Sequence, residues 1–288
     1  MTYINVREAN EEPAVSVCVL RSSSSGNSTL IWNREHAILV DCGLGPRVTE
    51  GLLAPLGFSL RDLSGVLVTH AHNDHSKLTT VERLFRHEVP VYCLSGVKKV
   101  VARELSHKHK PRFRTFARKP FGIGSFQITA FPVSHDAEGG CVGFRIVIGE
   151  GERAKKISLV TDYGAPHGRI AGSLLDSHLI LIASNYCSKM IEGPSPVPEY
   201  IKRTHILPYQ PSNDHCSGIL LDVARGSAFL PEAVYLLHIS KNHNTVEKAV
   251  SHNERALRAG GYKEIRILPT FRDAVSETLH LYSEKSSL

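Results

Sequence analysis

The stretch Thr69-His70-Ala71-His72-Asn73-Asp74-His75 constrains this chain more than any other. Three imidazoles and one carboxylate fall between positions 70 and 75, a crowd of polar groups that stability alone does not call for. Gly65-Val66-Leu67-Val68 precedes it and reads as a buried strand. Leu78, Val81, Leu84 and Phe85 follow at helical spacing. The motif therefore lies on a strand-to-helix connection, where a rigid scaffold presents chemistry. A solvated, histidine-rich turn is the plainer alternative. Imidazole nitrogen and carboxylate oxygen together suit zinc, iron or manganese. His70 and His72 can grip one ion from the end of an extended segment, while Asp74 and His75, past the bend, can face a second.

At these residues the chain resembles the metallo-β-lactamase superfamily, whose signature is His-x-His-x-Asp-His. More narrowly it is similar to the WalJ/YycJ-like branch, described as metal-dependent DNA exonucleases. Ser24-Ser25-Gly26-Asn27-Ser28 keeps most of that branch's serine-rich motif. As plain structure it is a hairpin turn, with Gly26 and Asn27 supplying positive φ; beside an active site its hydroxyls and N–H groups could meet a phosphate. Asp41 ends an apolar strand over residues 36–40; it is either a loop or capping residue or, as in the superfamily, a carboxylate behind the metal ligands that orients their imidazoles. Ser134-His135-Asp136 and Thr161-Asp162-Tyr163-Gly164 each follow a strand-like run and match the branch. So does His238-Ile239-Ser240, after a strand over residues 234–237.

Two motifs depart. The branch shows Glu-Ser/Ala-Asn-x-Asp where this chain has Ala183-Ser184-Asn185-Tyr186-Cys187, so Asn185 stays and both carboxylates are lost. Gly-His-Leu-Ser-Asn is replaced by Asp214-His215-Cys216-Ser217-Gly218, which keeps His215 and Ser217.

The resemblance implies a four-layer αββα metallo-β-lactamase sandwich, here read as a single domain over residues 1–288. It also implies a dinuclear centre of two divalent transition-metal ions, zinc, manganese or iron. His70, His72 and His135 would hold one; Asp74, His75 and His238 the other; Asp162 would bridge, with Asp41 and Asn185 behind them. The reaction implied is phosphodiester hydrolysis by a hydroxide bridging both ions. Asp74 also orients that hydroxide. His215 contacts the scissile phosphate or protonates the leaving oxygen, or else is an ordinary loop histidine.

Charge bears on the substrate. Residues 98–119 carry nine cations and one acid, Glu104, although the whole chain carries a net charge of only +6. Lys98, Lys99, Lys108, Lys110, Arg112, Arg114, Arg118 and Lys119 are candidate phosphate contacts, with Phe113 and Phe116 interleaved. A solvated surface is the other reading. DNA is the favoured partner and RNA the second. The same superfamily site can open esters, lactones or thioesters, so a small-molecule hydrolase is one rival. A catalytically weakened metal- and DNA-binding regulator, suggested by Ala183, Cys187 and Asp214, is the other.

No apolar run approaches the ~20 residues of a membrane span, and the N-terminus lacks the basic-then-apolar layout of a signal peptide. The chain reads as cytoplasmic. Its six scattered cysteines, without a Cys-x-x-Cys pair, read as reduced core thiols. Asn242, His243 and His252 read as surface or capping residues.

Overall fold

A computed structural model describes residues 12–106, 110–117, 119–164 and 167–283. Its strands form two sheets of seven. The first contains β1 (Val15–Arg21), β2 (Ser28–Trp32), β3 (Ala37–Val40), β4 (Leu63–Leu67), β5 (Val91–Leu94) and β6 (Phe113–Phe116). The second contains β7 (Phe121–Ile123), β8 (Phe126–Val133), β9 (Cys141–Ile148), β10 (Lys155–Val160), β11 (Leu179–Ala183), β12 (Ala233–Leu237) and β13 (Arg266–Pro269). The last strand, β14 (Leu279–Leu281), returns to the first sheet and pairs antiparallel with β1. Strand orders are 14-1-2-3-4-5-6 and 13-12-11-10-9-8-7. Each sheet is antiparallel in one half and parallel in the other: β3 to β6 run parallel in the first, β10 to β13 in the second.

Alternation along the strands explains the layers. In β1, Val15, Val17 and Val19 face the second sheet, while Cys18 and Leu20 face the helices outside. In β11, Leu179 and Leu181 join the inter-sheet core, and Ile180 and Ile182 the outer one. A strand buried on both faces reads as a continuous apolar run, as these do. Helices α1 (Pro46–Leu53), α2 (Leu78–Arg86) and α3 (Ser95–Glu104) cover the first sheet through Leu53, Val81, Leu84, Phe85, Val97 and Val101. On the second sheet lie α4 (His167–Leu174), the short α5 (Ser188–Ile191) and α6 (Glu199–Ile201), then α7 (Asn213–Gly226) and α8 (Val246–Ala259). Ile170, Leu174, Ile219, Val223, Ala249 and Leu257 supply the packing there. The result is the four-layer αββα sandwich.

Several sequence expectations need correction. His215 lies on the first turn of α7, not in a loop, and Ser212 caps that helix by accepting from the His215 amide. His243 is fully buried, not a surface residue, with Nε2 2.7 Å from Ser195 Oγ. Asn27 takes no left-handed conformation; it is buried, and its side chain is in use. All six cysteines are free thiols and five are buried. Among the described residues no helix is long and apolar enough to cross a membrane.

Candidate metal centre

Every motif residue emerges where a strand ends. Asp41 follows β3 and the histidine motif follows β4; His135 follows β8, Asp162 β10, Asn185 β11 and His238 β12. The two sheets meet so that these ends share one edge, and the side chains converge. His72 Nδ1 lies 3.0 Å from His70 Nε2 and 3.3 Å from His135 Nε2. His75 Nε2 lies 3.1 Å from Asp162 Oδ2 and 3.5 Å from Asp74 Oδ2. His238 Nε2 lies 3.5 Å from both Asp74 Oδ2 and Asp162 Oδ1. Donor atoms of His70, His72 and His135 lie within 4.8 Å of one another, as do those of Asp74, His75 and His238 and those of His70, His75 and Asp162.

Two features of this cluster fit divalent ions. With ligand bonds of about 2.0–2.1 Å, neighbouring donors of a tetrahedral zinc stand about 3.3 Å apart, close to the separations within the histidine trio. The second feature is charge. Asp162 is buried, and its Oδ2 has no hydrogen bond although His75 stands near. Burial alone would raise its carboxyl, but the His238 and His75 imidazoles outweigh that and hold it well below the usual carboxylate range. Asp74 behaves in the same way, with burial opposed by His75 and His238. The ion-pair partners of both carboxylates among the described residues are imidazoles, not lysine or arginine. Burial pushes His70 and His135 down, leaving them neutral and able to ligate. For His75 and His238 burial is overcome by carboxylates, which push both up.

Behind the cluster, hydrogen bonds fix which ring nitrogen faces it. Asp41 Oδ2 is 2.7 Å from His75 Nδ1, and Oδ1 accepts from the Thr69 amide and hydroxyl. Thr69 Oγ1 is in turn 3.0 Å from His70 Nδ1. Asn185 Nδ2 donates to the His238 carbonyl and lies 3.0 Å from its Nδ1. Asp41 and His238 have φ of 64° and 51°. Such left-handed conformations cost about 1–3 kcal/mol each outside glycine, and they persist where surrounding contacts over-determine them. Gly43 is required for another reason: a Cβ there would sit 1.7 Å from the Asp74 carbonyl oxygen.

Four residues at the cluster have contacts there that the sequence reading did not assign them. Asn27 Nδ2 lies 3.0 Å from His75 Nε2 and 3.4 Å from Asp74 Oδ2. Ser22 Oγ donates to Asn27 Oδ1 and accepts from the His238 amide, so the serine turn supports both halves of the cluster. Tyr209 places its carbonyl 3.3 Å from His135 Nδ1. Gln210 donates to Asp162 Oδ1, while its own Oε1 is buried without a hydrogen-bond partner.

Other candidates sit further out. His215 is half-buried, its ring edge-on to that of Tyr163, the neighbour of Asp162. Asp214 is exposed and accepts from Ser188 Oγ, and Ala183 is buried in the outer core of the second sheet. Lys98 and Lys99 are exposed on α3; Lys110, Arg114 and Lys119 are exposed around edge strand β6. Arg112 is paired with Glu88. Lys108 and Arg118 lie outside the described residues. Phe113 and Phe116 are packing residues, not stacking platforms: Phe113 meets Phe85 edge-on, and Phe116 stacks on Phe121. A cavity of about 320 Å3 lies between His72 and Asn73 on one wall and Val100, Arg103 and Glu104 of α3 on the other.

The Beta-lactamase superfamily domain matches residues 36–239. The chain belongs to that superfamily. Exodeoxyribonuclease YycJ of Bacillus anthracis is 28% identical over 250 residues, 85% of this chain and 89% of that one. Exodeoxyribonuclease WalJ of Streptococcus pneumoniae is 27% identical over 238 residues, 80% and 84% of the two chains. The solved structure of the metallo-β-lactamase fold protein YhfI from Bacillus subtilis superposes with a TM-score of 0.67 at 14% identity, covering 91% of this chain and 98% of YhfI. As a superfamily member with this histidine and aspartate cluster, the chain is a metal-dependent hydrolase.

Proposed function

We propose that this hydrolase is a cytoplasmic phosphodiesterase acting on nucleic acid, and specifically a DNA exonuclease. The observation that carries the reading is the meeting of seven motif residues in one cluster, in a chain similar along most of its length to two exodeoxyribonucleases. His70, His72 and His135 would hold one ion and Asp74, His75 and His238 a second, with Asp162 grouped with His70 and His75 between the two sets. Zinc, manganese and iron are the candidates by donor set. Bound there, divalent ions supply Lewis acidity toward phosphoryl oxygens and a water acidic enough to ionise near neutral pH.

The chain's own groups do the rest. Asp41, Thr69 and Asn185 keep the ligand rings turned so that a lone pair faces the cluster. Asp74 orients the attacking water through its carboxylate. His215 protonates the departing oxygen from the first turn of α7. The helix that carries Lys98 and Lys99 also walls the cavity beside His72, which supports a strand of DNA lying along α3. The residues lost from the branch motifs, at Ala183, Cys187 and Asp214, are outside the seven.

The test combines elemental analysis with end-labelled duplex and single-stranded DNA. The expected result is close to two transition-metal equivalents per chain and stepwise loss of nucleotides from an end. Asp74→Asn should keep the fold, weaken one metal site and lose most hydrolysis. Parental digestion by this variant, or a folded parent that takes up no metal when supplied, overturns the assignment. Cleavage of esters or thioesters in place of DNA would return the chain to the small-molecule reading.

A further inference from the structure

We propose that the chain carries a second anion site, for a phosphate group of the nucleic acid other than the one being cleaved; its use by nucleic acid rests on the function proposed above. The site is a cavity of about 220 Å3 beside the serine turn. Arg21, Lys77 and Arg272 reach it, against a single carboxylate, Asp273. These cations come from the end of β1, the residue before α2 and the loop after β13, so only the fold brings them together. Ser23 and Ser25 add hydroxyls to the wall, and Gly26, Gly43 and Gly45 add backbone without side chains. Guanidinium, ammonium and hydroxyl groups around a small concavity suit a tetrahedral oxyanion, the arginines as planar forks and the lysine as a point charge.

The cations are not consumed by their neighbours. Arg21 Nη1 donates to the Arg272 carbonyl at 3.1 Å and to Asp273 Oδ1 at 3.3 Å, while its Nε has no partner. Asp273 also stands 4.0 Å from Arg272 Nε, but its side chain is 82% exposed, so both are exposed pairs that an incoming phosphate displaces at small cost. The same turn touches the metal cluster. Gly43 lies against the Asp74 carbonyl, and Asn27, closing the serine turn, reaches both Asp74 and His75. A nucleic-acid strand places a phosphate at about every 3.4 Å of axial rise, so a strand crossing the cluster has others to offer the cavity. The serine turn thus braces the ligands with Ser22 and Asn27 and faces a phosphate with Ser23 and Ser25.

The experiment compares the metal-loaded parent with the Lys77→Gln/Arg272→Gln double variant, binding a fluorescent phosphorothioate duplex that resists cleavage. One lost phosphate contact should weaken binding about tenfold and lower the slope of log affinity against log salt by about 1. Duplexes with phosphorylated or hydroxyl ends separate the sources. A loss confined to phosphorylated ends assigns a terminal phosphate, and an equal loss on both assigns a backbone phosphate; either supports the site. Unchanged affinity and slope overturn it. If the parent shows no salt-dependent DNA binding at all, the nucleic-acid reading fails on that control, and inorganic phosphate decides the site alone. A rise in melting temperature in the parent that the variant lacks supports it, and equal rises overturn it. Lys77→Gln by itself keeps the Arg272 side chain beside Asp273 and is read in the same way if the double variant melts early.

Discussion

His215 touches the ring of Tyr163, next to Asp162, from the first turn of α7. As a general acid it would contribute about 10²–10⁴-fold to the rate. His215→Ala should therefore cleave DNA more slowly with unchanged metal content. It should lose far less on a p-nitrophenyl phosphodiester, whose leaving group needs no proton. Equal losses on both substrates would mark a positioning role, and no loss would make it an ordinary histidine. The cysteines make a second residue-scale case. Burial pushes the Cys93 and Cys216 thiols up to about 12 and raises those of Cys18, Cys42 and Cys141. The thiolate is the reactive form, and only Cys187 is half-exposed. A maleimide near pH 7.5 should label one thiol per folded chain and six in denaturant, as mass spectrometry would count. The histidine motif was legible because its donors are contiguous and chemically specific. Tyr209 was not, since it acts through a carbonyl that any residue would offer, and Gln210 reaches Asp162 from 48 positions away.

At the scale of elements, the central strands were legible and the edges were not. The runs of β3 and β11 are apolar at every position because sheet and helix cover both faces. Edge strand β6, Phe-Arg-Thr-Phe, has half its positions in solvent and reads as loop; β7 and β14 are three residues each. Helix α7 was hidden differently. Its first turn coincides with a partly kept motif of the branch, which drew the reading to His215 although Ser212 and Asp214 are ordinary helix-start residues. Leu181 tests the layering. It is fully buried on the inter-sheet side of β11, next to β10 and β12. Leu181→Ala should cost about 2–5 kcal/mol through lost burial and a residual cavity, read as a lower urea midpoint with an unchanged m-value. Because Asn185 lies just past the end of that strand, metal retention should weaken as well. A stability loss below about 1 kcal/mol would mean that the sheets are not held together there.

At the scale of the whole molecule, the fold sorts charge in a way the sequence shows only in part. Of the described cations over residues 98–119, Lys98, Lys99 and Arg103 lie on α3, and Lys110, Arg112, Arg114 and Lys119 lie on or beside the edge strand β6. The fold also supplies acids the run itself lacks: Arg103 makes two contacts with Glu138, and Arg112 pairs with Glu88. Lys98, Lys99 and Arg114 are exposed and form no ion pair shown among the described residues, so they carry the positive field that a polyanion would meet. Reversing these three to Glu should weaken DNA binding and lower the salt slope by about 2–3, since each lost phosphate contact releases about one fewer counterion. Hydrolysis of a small phosphodiester, which meets only the cluster, should change far less, and the melting temperature should hold because no buried partner is lost. The serine-turn cavity lies on other elements, so its variants and these should add in free energy. If the triple variant degrades long DNA as fast as the parent at physiological salt, this face is solvated surface, and DNA is held by the cluster and the serine-turn cavity alone.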